Sequence, residues 1–221
     1  MTKKIIDLSM ILEEGMISFP QPWHPIVEIV QLGRHEIEGR ETRKITMGTH
    51  TGTHIDAPRH FIPDAPTVDE IPLDQMNGLA SVVNLTAFGP GQEVGLSDLE
   101  KALGDRSAER VLLRFDWERM TGSLDYYYKS PYLSEDAAKW LIEKGCKLLG
   151  MDTPMPDNPE NGRGCSKDSP NHKILLGGGA ILVEYMVNLS AIDRDEVNII
   201  VAPIKVKEGD GAPARVFAIL D

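Results

Sequence analysis

The chain has 221 residues, 41% hydrophobic and 26% charged, and 34 acidic against 23 basic residues give it a formal net charge of −11. That length suits a single domain over residues 1–221 with a core of ordinary extent. The acidic balance offers no basic stripe for phosphates and argues against nucleic acid or an anionic membrane surface as a partner. No apolar run approaches the roughly 20 residues of a membrane-spanning helix, and the N-terminus meets Asp7 too soon for a secretory leader. A cytoplasmic compartment is therefore expected, with Cys146 and Cys165 as free thiols.

In chain order, residues 4–9 read as a strand, and 43–50 alternate weakly before a turn. Residues 81–88 are an apolar, β-rich run. Ser97-Asp98-Leu99-Glu100 reads as a capping box opening a short helix. Residues 109–115 read as a buried strand. Ser134 caps a helix running to Lys144 and stopped by Gly145. Residues 147–151 form a strand ending at Asp152, and 180–184, 197–204 and 215–220 are further strands. Gly177-Gly178-Gly179 lacks the Lys-Ser/Thr of a phosphate loop and reads as a helix stop before a strand. Tyr126-Tyr127-Tyr128 fits a pocket wall, an interface or ordinary packing equally well. The pattern is mixed α/β: a β-rich core with peripheral helices and no internal repeat.

Three of the six histidines fall in one window, His50-Thr51-Gly52-Thr53-His54-Ile55-Asp56-Ala57-Pro58-Arg59-His60. Gly52, Pro58 and three β-branched residues make this window a poor helix. In an extended chain His50, His54 and Asp56 share a face. His54 and Asp56 then stand about 6.6 Å apart at Cα, close enough to meet on one ion. His50 would be about 13 Å from His54 on a straight strand, so the chain must bend, and Gly52 permits the bend. Such N, N, O donors suit zinc, manganese or iron(II). His60 closes the cluster as a candidate proton acceptor.

This window resembles His-x-Gly-Thr-His-x-Asp-x-Pro-x-His, the signature of the cyclase-family metal-dependent hydrolases, which include bacterial kynurenine formamidases and isatin hydrolases. Further likeness runs along nearly the whole chain. It includes Ile6-Asp7-Leu8-Ser9, Gly15-Met16, Phe19-Pro20, Gly150-Met151-Asp152-Thr153-Pro154, His172 to Leu176, Glu184, Pro203 to Val206 and Gly209 to Arg215. The resemblance implies a swivelling β/β/α-type fold, usually assembled as a homodimer or homotetramer. It also implies one or two divalent ions, Zn2+ or Mn2+. His50, His54 and Asp56 would hold one, and Asp56, His172 and Glu184 the other. The implied chemistry is cleavage of a carbon–nitrogen bond in a small linear or cyclic amide, with His60 as general base and acid. Phe19 matches an aromatic that lines the substrate site in formamidase-like members, and Trp23 is a further candidate beside it.

The 19–25 segment departs from the family's Pro-Gly-Asp pattern by adding Trp23 and His24. The polar 157–168 segment is longer than a dedicated kynurenine formamidase requires, and it precedes His172 as a candidate lid. Lys205, Asp210 and Arg215 read as residues that back the ligands or as turn residues, and receive no chemical role. Two other readings stand beside the amidase: a cyclase or lactonase acting on an ester, lactone or polyketide-like carbonyl, and a non-enzymatic metal-binding protein on the same fold.

Overall fold

The structure, a computed structural model, describes residues 4–220. Residues 1–3 of the N-terminal segment weighed above against a secretory leader lie outside the described residues. In chain order come β1 (Lys4–Asp7), β2 (Glu28–Gly33), α1 (His35–Glu38), β3 (Thr42–Thr46), β4 (His54–Asp56), α2 (Leu73–Met76), β5 (Gly78–Asn84), β6 (Glu93–Val94), α3 (Leu96–Leu103), β7 (Arg110–Arg114), α4 (Asp125–Tyr128), β8 (Tyr132–Leu133), α5 (Glu135–Glu143), β9 (Leu148–Met151), α6 (Pro170–Gly177), β10 (Ile181–Glu184), β11 (Glu196–Pro203) and β12 (Gly211–Leu220).

Eight of these strands form one sheet in the order β1-β12-β11-β5-β7-β9-β10-β4. β12 also pairs with β4, so the sheet closes on itself as a barrel. The long β12 makes this possible: residues 211–213 lie beside β4, and residues 217–220 beside β1. β5, β7, β9 and β10 are parallel neighbours. The connections between them carry α3, α5 and α6, as parallel pairing requires.

These parallel strands are buried on both faces, which explains their unbroken apolar sequences. Val82, Leu112, Leu148, Ile181 and Val183 point into one core, with Ile55, Val197, Ile199 and Val216. Their neighbours Val83, Val111, Leu113, Leu149 and Leu182 point into a second core, under Leu99, Leu103, Leu141, Leu175 and Leu176 of the helices. The alternation assigns the first core to the barrel interior and the second to its helix-covered exterior. The expected mixed α/β fold, β-rich with peripheral helices, is the one observed.

Three local details differ from expectation. The α3 helix starts at Leu96, and the Gly95 N–H donates to the Asp98 carboxylate at 3.2 Å. Asp98 thus serves the start of the helix in place of the expected Ser97–Glu100 pair. The 43–50 stretch is strand only to Thr46, because the following loop contains Gly48 and Gly52. β3 pairs with β2 in an antiparallel hairpin that no sequence signal marked. Val30, Leu32 and Ile45 on that hairpin are exposed.

Candidate metal centre

Strand register brings the donors together. β4 lies antiparallel to β10 with His54 opposite Glu184, and Asp56 two residues along β4 shares the His54 face. Ile55 between them turns into the barrel core. The two side chains therefore stand on the barrel exterior, at the end of β10. Gly52, with φ of 61°, makes the bend that brings His50 back over them. Gly211 on β12 leaves room for that ring: a Cβ there would lie 2.5 Å from His50 Cε1. His172 arrives from α6, and its burial is nearly complete.

The hydrogen bonds fix which nitrogen each ring offers. The His54 Nδ1–H donates to the Gly52 carbonyl at 2.8 Å, leaving Nε2 as a bare lone pair. Nε2 faces Asp56 Oδ1 at 3.2 Å and Glu184 Oε2 at 3.6 Å. The His172 Nδ1–H donates to the Asp157 carboxylate, and its Nε2 lies 3.2 Å from Glu184 Oε1 and 3.5 Å from Asp56 Oδ2. A histidine backed by a carbonyl or carboxylate on one nitrogen, with the other aimed inward, has the arrangement of a metal ligand.

His50 differs. Its Nδ1 lies 2.7 Å from Asp56 Oδ1 and its Nε2 2.8 Å from Asp210 Oδ2. Burial disfavours its charge, but Asp56 and Asp210 outweigh that and raise its pKa to about 10. His50 must release a proton before it can ligate a cation.

Buried carboxylates dominate the electrostatics. Burial raises the pKa of Glu184, and the neighbouring Asp56 charge raises it further. Asp56 is held well below the usual range: burial opposes this, but His50 and His60 prevail. His24 on the cavity wall is pushed down to about 4, by burial and then by the charge of His50.

A cation fits the donors that are present. His54 Nε2, Asp56 Oδ2 and Glu184 Oε1 are buried and have no hydrogen-bond partner. Leaving such atoms unpaired costs about 1–3 kcal/mol each, more for charged groups, so three orphans at one point call for a ligand. Two groups of donor atoms lie within 4.8 Å of one another: His54, Asp56 and Glu184, and His50, Asp56 and His60. Asp56 belongs to both. The other four expected ligands thus surround Asp56, although the two tight groups differ from the partition that the resemblance implies: they omit His172 and include His60.

His60 ends a 3-10 turn opened by Pro58 and faces the same cavity. Its ring centroid is 3.9 Å from that of His50, and its Nδ1 is 3.3 Å from Asp210 Oδ2. Asp210, bonded by His50 and His60, has its pKa driven far down by those two bonds. Phe19 and Trp23 both line the cavity, of about 470 Å³, with His24, Phe61 and Tyr185. Tyr185 adopts φ of 58°, a conformation costly for a bulky residue and characteristic of functional sites.

Sequence reasoning passed over Asp210, Asp157 and Tyr185. Asp210 sits 160 positions from His50 and Asp157 15 from His172, so no local spacing signals either contact. For Asp210 the signal was its place in the Gly209–Arg215 stretch, which carried a resemblance but no role.

The barrel thus carries a cluster of donors on its exterior that could hold a metal ion. A family model described as "Putative cyclase" matches residues 6–158, more than half of the chain, and the chain belongs to that cyclase family. It is 29% identical over 215 residues to a protein of Bacillus cereus named kynurenine formamidase, covering 97% of this chain and 96% of the relative. It is 28% identical over 214 residues to the kynurenine formamidase of Bacillus anthracis, with the same shares covered. Among solved structures, isatin hydrolase A from Labrenzia aggregata bound to benzyl benzoate matches with a TM-score of 0.87 at 28% identity, covering 99% of this chain and 94% of that one.

Proposed function

We propose that the chain is a metal-dependent hydrolase that cleaves a carbon–nitrogen bond in a small amide, in the manner of an arylformamidase. The observation that carries this reading is the convergence of the orphaned His54, Asp56 and Glu184 atoms under a cavity that His60 also lines. Its relatives named kynurenine formamidase and isatin hydrolase support the same chemistry. His50, His54, Asp56, His172 and Glu184 would hold one or two divalent ions, Zn2+ or Mn2+. When bound, such an ion polarises a carbonyl and acidifies water toward neutrality.

The chain's own residues do the rest. His60 Nδ1 is held against Asp210, which leaves Nε2 without a hydrogen-bond partner among the described residues. Nε2 accepts the proton of the attacking water and returns it to the departing nitrogen, which leaves poorly as an anion. Asp210 orients the ring and offsets the positive charge that forms on it, as a carboxylate behind a catalytic histidine does elsewhere. Phe19, Trp23 and Phe61 wall the cavity with aromatic surface that suits an aryl group.

Hydrolysis of N-formylkynurenine, followed by absorbance, tests the reading. Zinc- or manganese-loaded protein is expected to turn it over, and chelation to abolish turnover. Metal-loaded protein that hydrolyses neither this compound nor a panel of cyclic amides would refute it.

Assembly as a homodimer or homotetramer belongs to the same reading. A two-stranded hairpin is marginal alone, and β2–β3 exposes Val30, Leu32 and Ile45, surface that a second copy would cover. Sedimentation as a monomer at micromolar concentration would contradict it.

A further inference from the structure

The cavity has a cationic mouth that the reaction scheme does not use. Arg163 and Lys173 both line it, in a chain whose net charge is −11. Arg163 comes from the 157–168 segment, where Gly164 turns with φ of 75°. Its neighbours fix that turn: the Gly164 N–H donates to Asp168 Oδ2 at 2.7 Å, and the Asp168 N–H to the Cys165 carbonyl at 3.1 Å. The turn places the Arg163 guanidinium over the Trp23 ring, 3.6 Å from its centroid. This contact joins the 157–168 and 19–25 segments, the two places where the chain departs from its family's pattern.

Among the described residues neither cation forms an ion pair. Arg163 makes no carboxylate contact among the described residues, and Lys173 donates to the Asp168 backbone carbonyl. Among the described residues that line the mouth Asp168 is the acidic group, and its two oxygens accept from Gly164 N–H and the Ser169 hydroxyl. Two cations against one carboxylate leave a single net positive charge. Stacking on Trp23 uses the face of the guanidinium and leaves its N–H edge free, the edge that matches a carboxylate in a two-pronged bond. The other acidic groups lining the cavity, Asp56 and Glu184, belong to the metal centre.

We infer that Arg163, seated on Trp23 and assisted by Lys173, is a specificity-determining residue that recognises a carboxylate on the substrate, so that the preferred aryl amides are those bearing a carboxylate. The inference rests on the hydrolase reading and narrows it. A single net charge matches a carboxylate better than a phosphate, which carries nearly two charges at neutral pH. The aryl ring would lie against Phe19, Trp23 and Phe61, between the metal ligands and Arg163.

The experiment compares wild type with Arg163→Met, which keeps an apolar contact on Trp23 and removes the charge. Metal-loaded protein is assayed on 2-formamidobenzoate and on neutral formanilide. Binding of 2-aminobenzoate and of aniline is measured by calorimetry in parallel. Arg163→Met is expected to lower kcat/KM for the anionic amide by about tenfold or more, mainly through KM, and 2-aminobenzoate affinity by a similar factor. Formanilide and aniline should change less than threefold. The 2-aminobenzoate affinity of wild type should also weaken with added salt. Equal losses on charged and neutral compounds would overturn the inference by making Arg163 a loop clasp alone. An unchanged anion affinity would overturn it by assigning the anion to the metal. If wild type hydrolyses neither amide, the formamidase reading fails, and the calorimetric ratio still decides the role of Arg163.

Discussion

Replacing His60 by alanine is expected to lower kcat by about 10²–10⁴-fold, the usual worth of a positioned general base, while leaving bound metal unchanged. The split follows from where the ring sits. His60 lines the cavity with its side chain 28% exposed, and its ring bonds Asp210. Removing it takes no mass from either buried core, so the fold has little reason to respond. The orphaned atoms of His54, Asp56 and Glu184 belong to other side chains and stay in place. Metal content by atomic emission and turnover by absorbance, on one sample, read the two quantities separately. A kcat within threefold of wild type would remove His60 from proton transfer. A loss of metal in step with activity would instead make it a ligand, a role open to it by its place with His50 and Asp56.

The contrast between His60 and Asp210 shows which part of the site was legible in the sequence. Residues 50–60 announce their chemistry because the strand and turn that carry them are local. Alternation on β4 pairs His54 with Asp56, Gly52 bends His50 back, and Pro58 opens the turn that ends at His60. Asp210 acts on the same rings only because β12 closes the barrel against β4, a pairing between residues more than 150 positions apart. No period or spacing encodes such closure. The same holds for Asp157, whose carboxylate bonds both the His172 ring and the first turn of α6. Strands buried on both faces were visible as apolar runs, whereas the β2–β3 hairpin was not. Its side chains are largely exposed on both faces, so burial imposes no alternation on its sequence. Arg163 was legible only as part of an unusual segment; its meaning comes from Trp23, 140 positions earlier in the chain.

Replacing Asp56 by alanine is expected to abolish metal binding and activity together, because Asp56 belongs to both groups of donors. Its Oδ1 meets His50 at 2.7 Å and His54 at 3.2 Å, and its Oδ2 faces His172 at 3.5 Å, so its loss leaves no shared centre. Thermal unfolding supplies a readout independent of turnover. A ligand that binds only the folded state stabilises it by about 2.7 kcal/mol at a hundred times its Kd, so metal should raise the Tm of wild type and leave that of the Asp56 variant unmoved. Retained metal-dependent stabilisation in that variant would place the ion elsewhere. Glu184→Gln probes the same centre with the opposite sign and guards against misfolding of the alanine variant. Glu184 is buried beside Asp56, and both facts raise its pKa. In metal-free protein the native state therefore holds a proton that the unfolded state has released. Between the ordinary carboxylate range and that raised pKa, stability falls as pH rises. Glutamine removes this penalty, so the metal-free variant should unfold at a higher temperature than metal-free wild type above the ordinary carboxylate range. With metal present the order should reverse, because an amide is the weaker ligand. A buried carboxylate, Glu184, that destabilises the empty protein and stabilises the loaded one is the thermodynamic signature of a site built around a cation.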